Sequence, residues 1–468
     1  MDPVRVEASS FRDPRGTVMH RGGRVLRGLD PEGAEDWRAL KATRAFSQLV
    51  ARGALVDTWE APADVVAEAD LGHWALVLEH EPIPVVSYPY EWTFEMLRAA
   101  AVLHLEVLLA ALEEGMTLKD GYAYNVQFRG AQPVFIDLGS FTPVGEGGPW
   151  VGYRQFCQTL LYPLLLQAHL DIPFQRYLLG QLEGIPASDM RRFLSGRHAF
   201  QKGVLRHVVL HDVLSSRLTE GAEATRQDLA DASDGAELSR IAAGKLLDLV
   251  RSLKSKRSTS GWADYRTTCS YSDEDTRAKE EFVDEHLARL SPGLVWDLGC
   301  NDGAFARRAA RHADQVVAAD SDDVVVDAFF RSLGQPGAPD NILPLVLDLT
   351  DPSPDRGWRN QERSAFLSRS RPDLILALAL VHHLSIAANI PLAQVLDWFQ
   401  GLDAPLLVEF VERHDPMADR LLANKPPGIH DEYRTDVFES LLEERFEVEG
   451  RTELPSGSRR LYLARPRR

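Results

Sequence analysis

Residues 295–305 read VWDLGCNDGAF, an apolar run that ends on Asp297 and is followed by Gly299 and Gly303. Glycine is needed where a backbone must turn tightly and let a ligand approach without a β-carbon in the way. Taken alone, this strand–turn–helix signature is common to many proteins. The series downstream makes it more specific. Asp320 closes the next apolar run, QVVAAD, where a carboxylate can accept both hydroxyls of a ribose. Asp348 closes the third, LVLD, and is placed to receive an adenine amino group. The fourth run, LILALAL, leads into Val381-His382-His383-Leu384. An imidazole titrates near neutral pH, so either histidine could take a proton from a nucleophile or simply pack the strand end. If strand geometry persists there, the two rings point to opposite faces and at most one meets a substrate. Glu409, near the end of the fifth run, is a lesser candidate, because strand-end carboxylates are commonly solvated. Upstream, Trp262, Tyr265, Tyr271 and Lys279 cluster in GWADYRTTCSYSDEDTRAK, a segment that either closes over a ligand or packs a domain interface.

These residues need a scaffold, and the apolar pattern after residue 290 supplies one. GLVWDLG, QVVAAD, ILPLVLDL, PDLILALAL and PLLVEFV are runs of strand length separated by helical or loop segments. Runs that are apolar on both faces belong to a buried parallel sheet. FEVEGRTEL and SRRLYLAR, joined through Pro455-Ser456-Gly457, predict an antiparallel hairpin at the sheet edge. The insert DPSPDRGWRNQER, 351–363, lies at the ligand-bearing edge and could form part of a lid.

The first 90 residues predict short strands, with a hairpin at Gly22-Gly23, one helix from about Pro31 to Arg52, and the apolar runs ALVLEH and IPVVSYPY. Leu97, Ala101, Leu105, Leu108 and Leu112 make one helical stripe over 93–114, stopped by Gly115. Between about 214 and 261 the composition turns polar, acidic and then basic, while Leu238, Ile241, Leu246, Val250 and Leu253 keep helical spacing. The expected organisation is therefore an α+β domain over 1–215, a helix-containing linker over 216–260, and an α/β domain over 261–468.

At 468 residues the chain exceeds one ordinary core, and its formal net charge of -17 disfavours a nucleic-acid partner. Three cysteines without CxxC spacing offer neither a disulfide framework nor a zinc site. No apolar run approaches the roughly 18 residues that span a bilayer, and the polar start does not read as a signal peptide. A cytoplasmic protein without a membrane partner is expected. The sequence leaves oligomeric state open.

The ordered set in the second half resembles the class I S-adenosylmethionine (SAM)-dependent methyltransferases. Asp297, Gly299 and Gly303 match the family's first motif, Asp320 its second, Asp348 its third, and LALVHHL its fourth. The terminal hairpin matches too. The resemblance implies a Rossmann-like seven-stranded sheet, SAM as cofactor held by Asp297, Gly299, Asn301, Gly303, Asp320, Asp348 and Tyr271, and His382 or His383 as the catalytic base. Asn301 stands where the family often has glycine, and asparagine tolerates the same left-handed backbone.

Residues 118–139, LKDGYAYNVQFRGAQPVFIDLG, resemble the catalytic core of protein-kinase-like folds. Asp120, Asn125 and Asp137-Leu138-Gly139 match that fold's base, magnesium asparagine and second metal ligand in order. The resemblance implies a possible ATP and magnesium site. The departures are specific: Leu118 replaces the usual loop histidine, and no lysine lies on the early strands, so Arg24 or Arg27 would have to hold phosphates. GEGGPWVG, 145–152, follows rather than precedes this loop and reads as a turn. The two-part arrangement is similar to bacterial nodulation-related methyltransferases. The reading is methyl transfer to a small-molecule or glycan acceptor, with the first domain gripping substrate or nucleotide. The alternatives are a bifunctional kinase–methyltransferase and a non-catalytic nucleotide-binding scaffold.

Overall fold

The hairpin around Gly22-Gly23 is present in the computed structural model, which describes residues 3–145, 150–211, 235–257 and 271–467. Both glycines have positive φ, 54° and 80°, which only residues without a β-carbon adopt freely. Strands β1 (Arg5–Val6), β2 (Gly16–Arg21), β3 (Arg24–Leu29), β4 (Thr58–Glu60) and β5 (Leu76–His80) form an antiparallel sheet in the order β1-β2-β3-β5-β4. The single helix expected over 31–52 is two helices, Pro31–Lys41 and Arg44–Ala51. Thr43 causes the break: its hydroxyl accepts from the Phe46 N–H at 3.1 Å and starts a new helix. The run at 83–90 is not a strand. Pro84 and Pro89 lack ladder donors, and the segment is held instead by Gln127, whose amide bonds both the N–H and the C=O of Ser87 at 2.9 Å.

The Phe94–Glu113 helix begins on a Thr93 cap and ends before Gly115 at φ 75°, as its stripe predicts. After it come β6 (Met116–Leu118), β7 (Val126–Arg129), β8 (Gln132–Phe135) and β9 (Phe141–Pro143); β6 pairs with β9 and β7 with β8. The Gly235–Ser252 helix, expected to cross a linker, instead packs along Phe94–Glu113, with its own Leu246, Leu249 and Val250 buried. Arg251 adds a 2.8 Å ion pair to Glu106. An apolar stripe at helical spacing seeks burial wherever a partner stripe exists, so the helix joins the first unit.

The chain divides accordingly: unit 1 is Met1–Ser258 with Pro354–Ala365, and unit 2 is Thr259–Ser353 with Phe366–Arg468. Residues 354–363 of the insert expected to form part of a lid thus belong to unit 1, where Glu362 pairs with Arg12 at 2.6 Å and the Ser364 N–H donates to Tyr88 at 3.2 Å.

Unit 2 is α/β. Strands β10 (Leu294–Leu298), β11 (Gln315–Asp320), β12 (Ile342–Val346), β13 (Leu374–Ala377), β14 (Leu406–Val411), β15 (Phe446–Glu453) and β16 (Arg459–Pro466) form one sheet. Their order is β12-β11-β10-β13-β14-β16-β15, with β10 to β14 parallel and β15 and β16 antiparallel. The order reverses beside β10, so the C-terminal ends of β10 and its neighbours flank the crevice where open α/β sheets bind ligands. Among the described residues no helix is long and apolar enough to cross a membrane.

Candidate functional site

Gly299, Asn301 and Gly303 all have left-handed backbones, with φ of 76°, 48° and 76°. The loop after β10 therefore coils into a tight turn, and Asn301 sustains its place in it. A β-carbon at Gly303 would lie 2.0 Å from the Phe329 ring, so sterics and backbone both demand glycine there. Gly303→Ala is expected to destabilise unit 2 by about 1–3 kcal/mol through displacement of the loop, as urea unfolding would register. Asp320, at the end of β11, ties the loop down. One of its oxygens accepts from the Asn301 N–H and the other from the Asp322 N–H, both at 3.0 Å. Burial raises its pKa.

Asp297 is 2% exposed, and its Oδ2 has no hydrogen-bond partner. Burial pushes this carboxyl up to about 7 against the pull of Lys279. Asp348 does not end β12. It lies two residues beyond, exposed, accepting from the Thr350 N–H at 2.9 Å and hydroxyl at 2.7 Å. These residues share the C-terminal edge of the sheet. An orphaned carboxylate oxygen beside a glycine-cradled loop, with a second carboxylate one strand over, fits the polar groups of an adenosine-bearing cofactor.

The histidines depart from expectation. Strand β13 stops at Ala377, Ala379 turns with φ 51°, and His383–Ala387 winds as a π-helix with His382 at its head. Alternation is lost, and the rings do not oppose one another: their centroids are 4.1 Å apart, tilted by 40°. His382 is fully buried, and neither ring nitrogen has a partner. Burial, reinforced by His383, Arg459 and Lys279, holds its pKa well below the ordinary value, so it is neutral. Burial and Arg459 bring His383 down to about 4. The turn bearing them packs on the glycine loop, with a Leu380 methyl 3.3 Å from where a Gly299 β-carbon would stand.

Glu409 is not solvated. It is fully buried, within 2.7 Å of Lys279 Nζ and 3.3 Å of the Arg459 guanidinium. The Tyr271 hydroxyl donates to Glu409 at 2.7 Å and accepts from Lys279 at 2.8 Å and Arg459 at 2.6 Å. Arg459 also forks onto buried Asp415 at 2.8 and 3.2 Å. Burial works against the Glu409 charge, but the two cations hold its pKa below the usual carboxylate range. Tyr271, expected to contact the cofactor, thus has its hydroxyl engaged within the protein and Arg459 stacked 4.0 Å from its ring. Lys279 reaches the loop side as well, 4.7 Å above the Phe305 ring. Trp262 and Tyr265 lie outside the described residues.

Arg459 and Asp415 carried no local motif. The available signal was a charge at an inward position of the SRRLYLAR strand, where Leu461 and Leu463 share its face.

In unit 1, Asp120, Asn125 and Asp137 come to one loop region, with the Ile136 N–H bonded to the Asn125 carbonyl at 2.8 Å. Burial, then the neighbouring Asp137, raises the pKa of Asp120. Arg27 lies 3.2 Å from Asp137 and 3.6 Å from Asp13, and Arg24 pairs with Glu79 at 3.0 Å. Both arginines expected to hold phosphates thus face carboxylates. The adjoining cavity, lined by Asp13, Arg27, Asp36, Lys119 and Gly139, encloses about 10 Å³, the space of roughly one water. Among the described residues no three His, Cys, Asp or Glu side chains group to hold a metal ion. With a guanidinium against Asp137, the geometry does not fit magnesium and nucleotide there. His104, from the Phe94–Glu113 helix, is fully buried against Phe135, Trp150 and Phe156, and burial takes it down to about 3 while the Asp120 backbone acts oppositely.

Strand order, loop geometry and the carboxylates at the sheet edge together define unit 2 as a Rossmann-like α/β domain with a ligand edge suited to a nucleoside. Over its whole length the chain belongs to the family of nodulation protein NoeA. It is 37% identical over 467 residues to NoeA of Rhizobium meliloti (strain 1021), covering 98% of this chain and 96% of that protein. No family model matches. Among solved structures, the N-methyltransferase NodS of Bradyrhizobium japonicum WM9 aligns at 14% identity over 42% of this chain and 98% of its own, with a TM-score of 0.29. Magnesium protoporphyrin IX methyltransferase (ChlM) of Synechocystis PCC 6803 aligns at 16% identity over 45% and 96%, with a TM-score of 0.32.

Proposed function

We propose that unit 2 binds SAM and transfers its methyl group to a small-molecule or glycan acceptor, in the cytoplasm, with unit 1 gripping substrate. The observation that carries this is the orphaned Asp297 carboxylate oxygen beside the left-handed turn Gly299–Gly303, with Asp320 at the end of the next strand. Asp320 would take the ribose hydroxyls, Asp348 the adenine amino group, and the glycine loop the close backbone approach. When bound, SAM supplies a methyl group already activated by its sulfonium. What remains for the chain is to hold a nucleophile in line and remove its proton. His382, buried and neutral, is the base of this proposal, with the His383 ring tilted beside it.

The kinase-like reading of unit 1 draws support from the antiparallel sheet, the long helix and the loop that gathers Asp120, Asn125 and Asp137. Phosphotransfer is not part of the proposal, because Arg27 and Arg24 are committed to carboxylates.

Calorimetric titration of the full chain with S-adenosylhomocysteine (SAH) tests the cofactor assignment. Hydrogen bonds to a charged group contribute about 1.5–3 kcal/mol, so Asp320→Ala should bind SAH about 10- to 100-fold more weakly. Equal affinity in the variant, or no binding in the parent, sinks the reading.

A further inference from the structure

In a chain of net charge -17, cations that no carboxylate covers call for an explanation. Unit 1 gathers several on one surface. The Lys256 ammonium donates to the His169 carbonyl at 2.9 Å, and the His169 ring donates to the Lys202 carbonyl at 3.1 Å. The Lys202 ammonium in turn donates to the Ser252 hydroxyl at 2.7 Å. These contacts hold the Gly196–Phe200 3-10 helix and the turn after it beside the chain that leaves the Gly235–Ser252 helix. A β-carbon at Gly203 would lie 2.7 Å from a Leu249 methyl, so the turn is seated directly on that helix. Arg197, Lys202, Lys254 and Lys256 are exposed here, and among the described residues none of them forms an ion pair. Two carboxylates of the same unit, Glu106 and Asp189, are taken by Arg251 and Arg192. Apolar groups stand among the cations: Phe200 is 86% exposed and Leu205 53%. Side chains three apart eclipse in a 3-10 helix, which puts Arg197 and Phe200 on one side of it.

We propose that this surface docks unit 1 on a membrane bearing anionic lipid. Phe200 and Leu205 enter the boundary between headgroups and acyl chains, and the cations around them meet the lipid phosphates. The composition selects this occupant. Interfacial binding grows with the apolar area buried and with attraction to anionic headgroups, and the two kinds of group are interleaved here. Three of the four cations are lysines. A lysine lays its stem along apolar chains and keeps its ammonium in water at a lipid surface, whereas protein–protein interfaces are depleted in lysine. A nucleic acid would stack bases on aromatic faces, and Leu205 offers none. The acidic remainder of the chain is repelled by the same lipid, so the field turns this face toward it. Docking of this kind needs no apolar run long enough to span, which is why the sequence pattern alone pointed to a protein without a membrane partner.

Vesicle flotation of the full chain tests the proposal, and no cofactor enters it, so the result is independent of the methyl-transfer reading. The chain should float with vesicles of equal parts phosphatidylcholine and phosphatidylglycerol and stay in solution with phosphatidylcholine alone. Each lysine beside an anionic surface is worth about fivefold in partition, so Lys202→Gln, Lys254→Gln and Lys256→Gln together should lower it about 100-fold. Phe200→Ser leaves the charge intact and should lower it at least about tenfold on the same vesicles. All four positions are exposed, so the variants should keep the parent's melting temperature. Added salt should release the parent and barely alter the triple variant, because screening acts on the charges that variant lacks. A parent that does not float with phosphatidylglycerol overturns the proposal. So does a triple variant or a Phe200→Ser variant that floats as the parent does. Retention of a non-floating parent by single-stranded DNA, lost with the three lysines, would assign the surface to nucleic acid and overturn it equally.

Discussion

Glu409→Ala is expected to destabilise unit 2 by about 3–5 kcal/mol, the effect of leaving buried charges unpaired. Glu409 is fully buried between Lys279 and Arg459, themselves 4% and 1% exposed. Removing the carboxylate strands two cations where water cannot replace it, and removes the acceptor of the Tyr271 hydroxyl. Asp415 offsets the loss at Arg459 only, through its two contacts there. Lys279 should then lose its proton readily, since burial already draws its pKa down and Glu409 is the main group opposing that. Urea unfolding of the full chain, followed by a probe in unit 2, reads the change directly. The companion variant carrying Lys279→Met with Glu409→Leu should recover part of the loss, because an apolar pair of similar volume removes the desolvation penalty together with the attraction. A Glu409→Ala loss below about 1 kcal/mol would mean that the network is hydrated in solution.

Acid should unfold unit 1 well before unit 2. His80, His104 and His207 are buried in unit 1, and burial depresses them to about 3, 3 and 4. Between pH 6.5 and 4 they are neutral when folded but protonated when unfolded, so unfolding takes up protons and stability falls as pH falls. Each contributes about 1.4 kcal/mol per pH unit in that window, and Asp120, with its raised pKa, works in the opposite sense. The three histidines together draw off about 4 kcal/mol per unit before Asp120 offsets part of it, large against a total of about 5–15 kcal/mol. In unit 2, His382 and His383 drive the same uptake, but Asp297, raised to about 7, and Asp320 hold protons that the unfolded chain releases. The two carboxyls thus offset part of the uptake, and unit 2 should lose less stability per pH unit than unit 1. Calorimetry at pH 7, 6 and 5, with hydrogen exchange to assign each transition, separates the units. Parallel loss of both transitions would defeat this account.

The sequence by itself determined the sheet of unit 2 and the loop at its switch point. Apolar runs of strand length have few places to go except a buried parallel sheet, and Gly299 and Gly303 mark a left-handed turn because no other residue tolerates one so well. The Phe94–Glu113 helix, the β2–β3 hairpin and the terminal hairpin were legible for the same reason: their signals are local. Tertiary structure decided the rest. It placed the 235–252 helix in unit 1, because a stripe names its need for burial but not its partner. It turned His382 and His383 side by side, since a backbone turn at Ala379, three residues before His382, cancels strand alternation. It drew Lys279, Glu409, Asp415 and Arg459 from four separate segments into one buried ion cluster, and set Arg27 against Asp137 where a metal had been expected. Charge pairing and desolvation depend on distances through space, and residues far apart in the chain reveal those only when the fold brings them together.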